Sequence, residues 1–181
     1  MTFIMILSML GGAAAAERGA VAAEHIRLTE EMRSKATVSR WDAVDDHYQQ
    51  LRALRGAELH YEDHWLGAQA ASALGDIQAT WRRLKRALDT EFTDEALGWW
   101  VTLTAQYGEV HLVIKPSAAQ PVVLSIADPP FEPEKRATIA SAQAALQADG
   151  AFHGLLPLGQ YQLGEQKFEV IGGPAVREVI R

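Results

Sequence analysis

Hydrophobic positions recur three or four residues apart over the first hundred residues, and the pattern shifts toward alternation after that. From Glu17 to Ser34, Val21, Ile26, Leu28 and Met32 are set among charged residues, which predicts a solvent-facing helix with one buried stripe. Ser39 is placed to cap a second helix, in which Trp41, Val44, Tyr48, Leu51 and Leu54 share a face and Arg55-Gly56 marks the end. A third helix is expected from Tyr61 to Leu74 and a fourth from Asp76 to Leu88, turning at Leu74-Gly75-Asp76. A fifth runs from Thr93, a capping residue, to Thr104. After Ala105 the stretch Tyr107 to Ile114 alternates and is rich in β-formers, Pro116 breaks it, and Val122 to Ile126 predicts a second strand. Asp128-Pro129-Pro130 stops the chain before a helix from Glu132 or Pro133 to Ala148, closed by Asp149-Gly150. Phe152 to Gly159 reads as a lead-in to a hairpin of Gln160–Leu163 and Lys167–Ile171 around Gly164-Glu165-Gln166, and Gly172-Gly173-Pro174 as its end.

The expected fold class is therefore α+β. Antiparallel helical hairpins fill residues 17–105. A small antiparallel β module with an inserted helix at 132–148 fills 106–174, and 175–181 is left as a tail. Residues 1–16 carry no charge, run apolar from Phe3 to Leu10 and end in alanines. They resemble a secretory signal peptide cleaved near Ala16. The apolar run is shorter than the roughly 20 residues of a membrane-spanning helix, so no transmembrane span is expected after cleavage.

Sliding the second helix onto the fourth superposes Val44 on Ile77, Tyr48 on Trp81, Leu51 on Leu84 and Leu54 on Ala87, an offset of 33 residues. With the corner at Gly75 and the small residues Ala68, Ala71 and Ala87, this resembles the tetratricopeptide repeat, a unit of about 34 residues built from two antiparallel helices. About two degenerate units span 17–105; a plain helical bundle is the alternative. In the second half, the Gly108-Glu109-Val110 opening, Lys115-Pro116-Ser117-Ala118-Ala119 and the run Gly154 to Tyr161 before a hairpin resemble a PEGA or carboxypeptidase-regulatory-type β-sandwich. That likeness implies a non-catalytic envelope or surface module appended to other domains.

Composition narrows the function. Of 181 residues 48% are hydrophobic, enough for a packed core, and the net charge of −6 argues against nucleic acid as a partner. The absence of cysteine excludes disulfides, thiolate metal sites and a cysteine nucleophile. His60 and His64, four apart, are the sharpest metal-ligating candidates, and they are weak. Tyr61 stands where a zinc protease has its glutamate, and Glu62 and Asp63 suit a helix start, where carboxylates meet free amides. Arg82-Arg83-Leu84-Lys85-Arg86 is expected on a solvated helix face. Trp65, Trp81, Trp99 and Trp100 are the candidate partner-binding residues. Trp99 and Trp100, being adjacent on a helix, cannot both point inward.

No phosphate-cradling glycine loop and no Gly-x-Ser-x-Gly elbow occurs. The expectation is a non-enzymatic scaffold without cofactors that binds a protein partner or self-assembles. It would work in the periplasm, at the bacterial envelope or after secretion. A glycan- or peptide-binding envelope module is the alternative.

Overall fold

The computed structural model describes residues 7–114 and 123–180. Five helices come first: α1 (Leu7–Thr37), α2 (Trp41–Ala53), α3 (Tyr61–Ala73), α4 (Ile77–Thr90) and α5 (Asp94–Thr104). Strands β1 (Tyr107–Val113) and β2 (Leu124–Ile126) follow, then helix α6 (Pro133–Asp149). The chain closes with β3 (Ala151–Pro157), β4 (Gly159–Leu163), β5 (Gln166–Val170) and β6 (Gly173–Ile180). The fold is α+β, helices followed by two small sheets with a helix inserted between strands. Among the described residues no helix is long and apolar enough to cross a membrane.

Local hydrogen bonding explains most helix ends. At the α3–α4 corner the Gly75 amide bonds to the Ser72 carbonyl and the Asp76 amide to the Ala71 carbonyl, with Gly75 left-handed (φ 77°). Asp76 then accepts from the Ala79 amide at 2.8 Å, so a helix stop and a helix start share one tight corner. Thr93 caps α5 through the Ala96 amide. Ser39 does not cap α2. It takes the left-handed position (φ 55°) of the same stop motif at the end of α1, with Ser39 bonded to Ala36 and Arg40 to Lys35, and Arg40 precedes α2. The first helix is also longer than its charged pattern indicates, running unbroken from Leu7 through the expected cleavage region; residues 1–6 lie outside the described residues.

The β region departs further from expectation. Phe152 to Pro157 is a strand, antiparallel to β1 with Glu109 opposite Leu155 and His111 opposite His153. The supposed tail at 175–181 is mostly strand as well: β6 runs to Ile180 and lies parallel to β1. The orders are β3-β1-β6 and β2-β4-β5. β3 and β4 are nearly continuous, so the chain steps from one sheet to the other around Leu158. The β4–β5 hairpin forms as expected, with Leu163 opposite Gln166. Lys115 to Ala119 and Val122 lie outside the described residues.

Three clusters form the interior. Leu28 and Met32 of α1 pack with Val44, Tyr48 and Leu51 of α2 and with Leu66 and Ala70 of α3. Val110, Leu112, Leu156, Tyr161 and Leu163 gather with Ala142 and Leu146 of α6. The third cluster joins the two regions: Ala68, Trp81, Leu84, Ala96 and Leu103 of the helices meet Tyr107 of β1 and Leu155 of β3. β3 thus sends Phe152 and Leu156 into the sheet core and Leu155 into the helical one.

Candidate functional site

Three surfaces gather chemistry-bearing side chains. The first is an aromatic groove on the helical face. Tyr61 and Trp65 stack with ring centres 6.0 Å apart, and Trp99 meets Trp65 edge-on at 5.3 Å. Trp41, Trp65 and Trp99, with Gln69, Ser72 and Ala73, line an open groove of about 430 Å³ that contains no charged residue. All three tryptophans are half-buried, fixed on one side by packing and bare on the other. Trp100 is also half-buried and packs at the margin of the joining core.

Trp81 belongs elsewhere. It is 3% exposed, sits in the joining core, and meets the His153 ring edge-on at 5.7 Å with the Lys85 ammonium 5.8 Å from its ring centre. It is a packing residue between helices and sheet, not a groove residue. A large amphipathic ring at a helical spacing gives no sign of which neighbour will cover it.

The basic run on α4 is divided in the same way. Arg82, Lys85 and Arg86 are exposed, but Arg83 is 6% exposed and reaches across the bundle. Its guanidinium bonds to Asp45 and, at 2.7 Å, to the Gly67 carbonyl, and lies 4.3 Å over the Tyr48 ring. The Tyr48 hydroxyl in turn meets His64 Nδ1 at 3.1 Å. One buried network therefore pins α2, α3 and α4 together. Gly67 permits it, since a Cβ there would fall 2.6 Å from the Tyr48 ring.

His64 is consumed by that network. It is 8% exposed, and burial, reinforced by Arg86 and Arg52, holds its pKa below the ordinary imidazole value. His60 does not share its helix face: it precedes α3 in an extended conformation (ψ 170°) and stays exposed. The expected His60–His64 pair is not brought together, because the first histidine stands before the helix rather than on it.

His60 instead pairs with a residue far away in sequence. Its ring centre is 5.0 Å from that of His25 on α1, with the planes at 59°. His25 Nε2 lies 2.8 Å from Asp63 Oδ2. Asp63 is fully buried and also accepts from Thr29 Oγ1 at 2.6 Å and from the His60 amide at 2.8 Å. Burial alone would raise the Asp63 pKa. The bonds from Thr29, the His60 amide and His25 outweigh it and hold the carboxyl below its usual range. This assembly lies beside a cleft of about 680 Å³ between α1 and the α2–α3 loop, with Glu17, Arg18, Arg55 and Glu58 on its walls.

The third surface is the helix-facing side of the first sheet. His111 and His153 oppose each other across β1 and β3 with ring centres 5.7 Å apart. His153 Nε2 contacts Glu109 at 2.8 Å, and His111 Nδ1 lies 3.9 Å from Glu178. Neither this row nor the His25–His60 pair has a spacing signal, since each is assembled from distant elements. Among the described residues no three or more histidines, aspartates and glutamates are arranged to hold a metal ion.

Compared with protein-family models, with curated proteins and with solved structures, the chain matches none.

Proposed function

We propose that this chain is a non-enzymatic adaptor that binds an apolar segment of a protein partner in the groove between Trp41, Trp65 and Trp99, in the periplasm or a secreted complex. The observation that carries the reading is the groove: three half-buried tryptophans around a charge-free opening of about 430 Å³. Fixed aromatic rings offer large contact area with little conformational entropy to lose, which is why tryptophan dominates binding hot spots. The absence of charge from the lining selects an aliphatic or aromatic side chain rather than an acidic or basic one. Helical hairpins turning at corners such as Gly75, with buried Ala68, Ala71 and Ala87 at the contacts, support a tetratricopeptide-like reading of this half. The two-sheet arrangement of the second half supports a PEGA-like accessory role. The apolar run Phe3 to Leu10, followed by alanines, supports export.

A peptide-display selection on the full chain, read out by tryptophan fluorescence, tests the proposal. Enriched peptides should carry an apolar anchor, shift the emission, and lose about tenfold or more in affinity with Trp99→Ala. Enrichment of charged peptides, or binding indifferent to Trp65→Ala and Trp99→Ala, would overturn it.

A second reading, a small-ligand module of the envelope, is favoured by the cleft beside His25, whose volume falls within the roughly 300–1,000 Å³ common for ligand pockets.

A further inference from the structure

We propose that His25 and His60 form a binding site for a transition-metal ion of the zinc, nickel or copper type. The two imidazoles are the protein ligands, and water or a small anion fills the remaining positions. The inference is independent of the groove and uses none of its residues.

Ring placement is the first argument. With nitrogen–zinc distances of about 2.0 Å and a tetrahedral angle, two imidazoles on one ion hold their ring centres about 5 Å apart. The His25 and His60 centres are 5.0 Å apart, and the planes are tilted by 59° rather than stacked. A stacked pair would direct its nitrogens in parallel. A tilted pair can aim them at one point.

Orientation is the second. The Asp63 carboxylate can only accept, so His25 Nε2 must carry the proton at that 2.8 Å contact, and in the neutral ring the lone pair is left on Nδ1. A buried carboxylate fixing one ring nitrogen so that the other can bind metal is the usual support for histidine ligands, setting tautomer and ring angle together. Asp63 is itself immobilised by Thr29 and by the His60 amide, so the residue that orients the first ligand also tethers the backbone of the second. An exposed pair of histidines meeting by chance would have no such anchor.

Access and ion type complete the case. The cleft of about 680 Å³ admits a hydrated ion, and Glu17 and Glu58 on its walls offset part of the incoming charge. Arg18 and Arg55 on the same walls oppose a cation and favour an anion among its other ligands. Since no third protein ligand is in place among the described residues, binding should be weaker than at a closed structural zinc site. Imidazole donors favour zinc, nickel and copper over magnesium or calcium, which need oxygen cages.

The test is calorimetric titration of the untagged full-length chain with zinc chloride, nickel chloride and magnesium chloride. The histidine ring resonances are followed by NMR in parallel. One zinc or nickel ion should bind per chain, with the His25 and His60 signals shifting and magnesium giving no response. His60→Ala changes an exposed side chain and should lower the affinity about tenfold or more. Asp63→Asn should lower it as well, and His153→Ala, on the distant sheet face, should leave it unchanged. Absence of zinc and nickel binding, affinity that survives His60→Ala, equal binding of magnesium, or loss with His153→Ala in place of His60→Ala would each overturn the site.

Discussion

The side-chain amide of Gln78, on α4, pairs with the backbone of Leu155 as a neighbouring strand would. Gln78 Nε2 donates to the Leu155 carbonyl at 2.6 Å, and the Leu155 amide donates to Gln78 Oε1 at 3.0 Å. β3 is an edge strand, and both polar groups of Leu155 point away from β1. One glutamine therefore satisfies the edge at Leu155, the residue that β3 carries into the helical core. Gln78→Glu keeps the size but replaces the donor with a carboxylate oxygen facing a carbonyl. Leaving these buried groups unsatisfied costs about 1–3 kcal/mol. Urea unfolding should show a loss of that order for Gln78→Glu and a comparable or smaller loss for Gln78→Ala; unchanged midpoints for both would refute the role of the pair.

Gly154 makes this pairing possible. A Cβ there would stand 2.3 Å from Gln78 Oε1 and 2.8 Å from Phe152 Cζ. Gly154→Ala should therefore displace the glutamine as well as crowd the phenylalanine. Its cost should be smaller in a Gln78→Ala background than alone, a coupling that a double-mutant cycle measures. Strict additivity would mean that the methyl group is absorbed elsewhere.

What could be read in the sequence was what is decided locally. The Leu74-Gly75-Asp76 corner and the Thr93 cap rest on hydrogen bonds within a few residues, and both form as expected. Ser39 does not cap α2 because the turn that ends α1 holds it in the left-handed region, a conformation uncommon for a residue other than glycine. Phe152 to Pro157 lacks the polar–apolar alternation of a strand because its two faces enter two different cores. Gln78 bonds to a residue 77 positions away, a pairing with no local sequence signal. The His25–His60 contact spans an interval with no period, so only the packing of α1 against the α2–α3 loop could reveal it.

Gly67 of α3 lies against the Tyr48 ring of α2 with no room for a side chain. Its missing side chain accommodates the face of Tyr48, and the Gly67 carbonyl accepts from Arg83. Gly67→Ala would gain helix propensity of about 1 kcal/mol. It must nevertheless displace a fully buried ring that is also covered by Arg83, and overpacking of that kind costs about 1–3 kcal/mol. Net destabilisation is expected, accompanied by a change in the His64 ring resonance as Tyr48 moves. A more stable Gly67→Ala protein would show that the bundle relaxes freely here.

Asp63 and His64 are neighbours with depressed pKa values, and both make stability rise with pH, through different windows. His64, desolvated by burial, stays neutral in the fold at pH values where the unfolded chain, titrating near the ordinary value of about 6.5, already takes up a proton. The unfolded state binds more protons there, so stability falls as pH drops through about 6.5 and continues falling to the lowered folded value. Asp63 acts at the acid end. Its bonds to Thr29, the His60 amide and His25 keep it ionised in the fold while the unfolded carboxyl protonates near pH 3.9, about its ordinary value. That contribution is complete above the ordinary value and disappears as pH falls through the folded one. Urea midpoints between pH 8 and pH 3 should therefore decline in two stages for the unaltered chain. The stability gap between it and His64→Asn should narrow as pH falls from 7 to 5, because the variant has no proton to take up at that position. The gap to Asp63→Asn should narrow further in stronger acid, as the folded carboxyl takes up its proton. A His64→Asn gap that stays constant from pH 7 to pH 5 would show that the buried imidazole does not resist protonation.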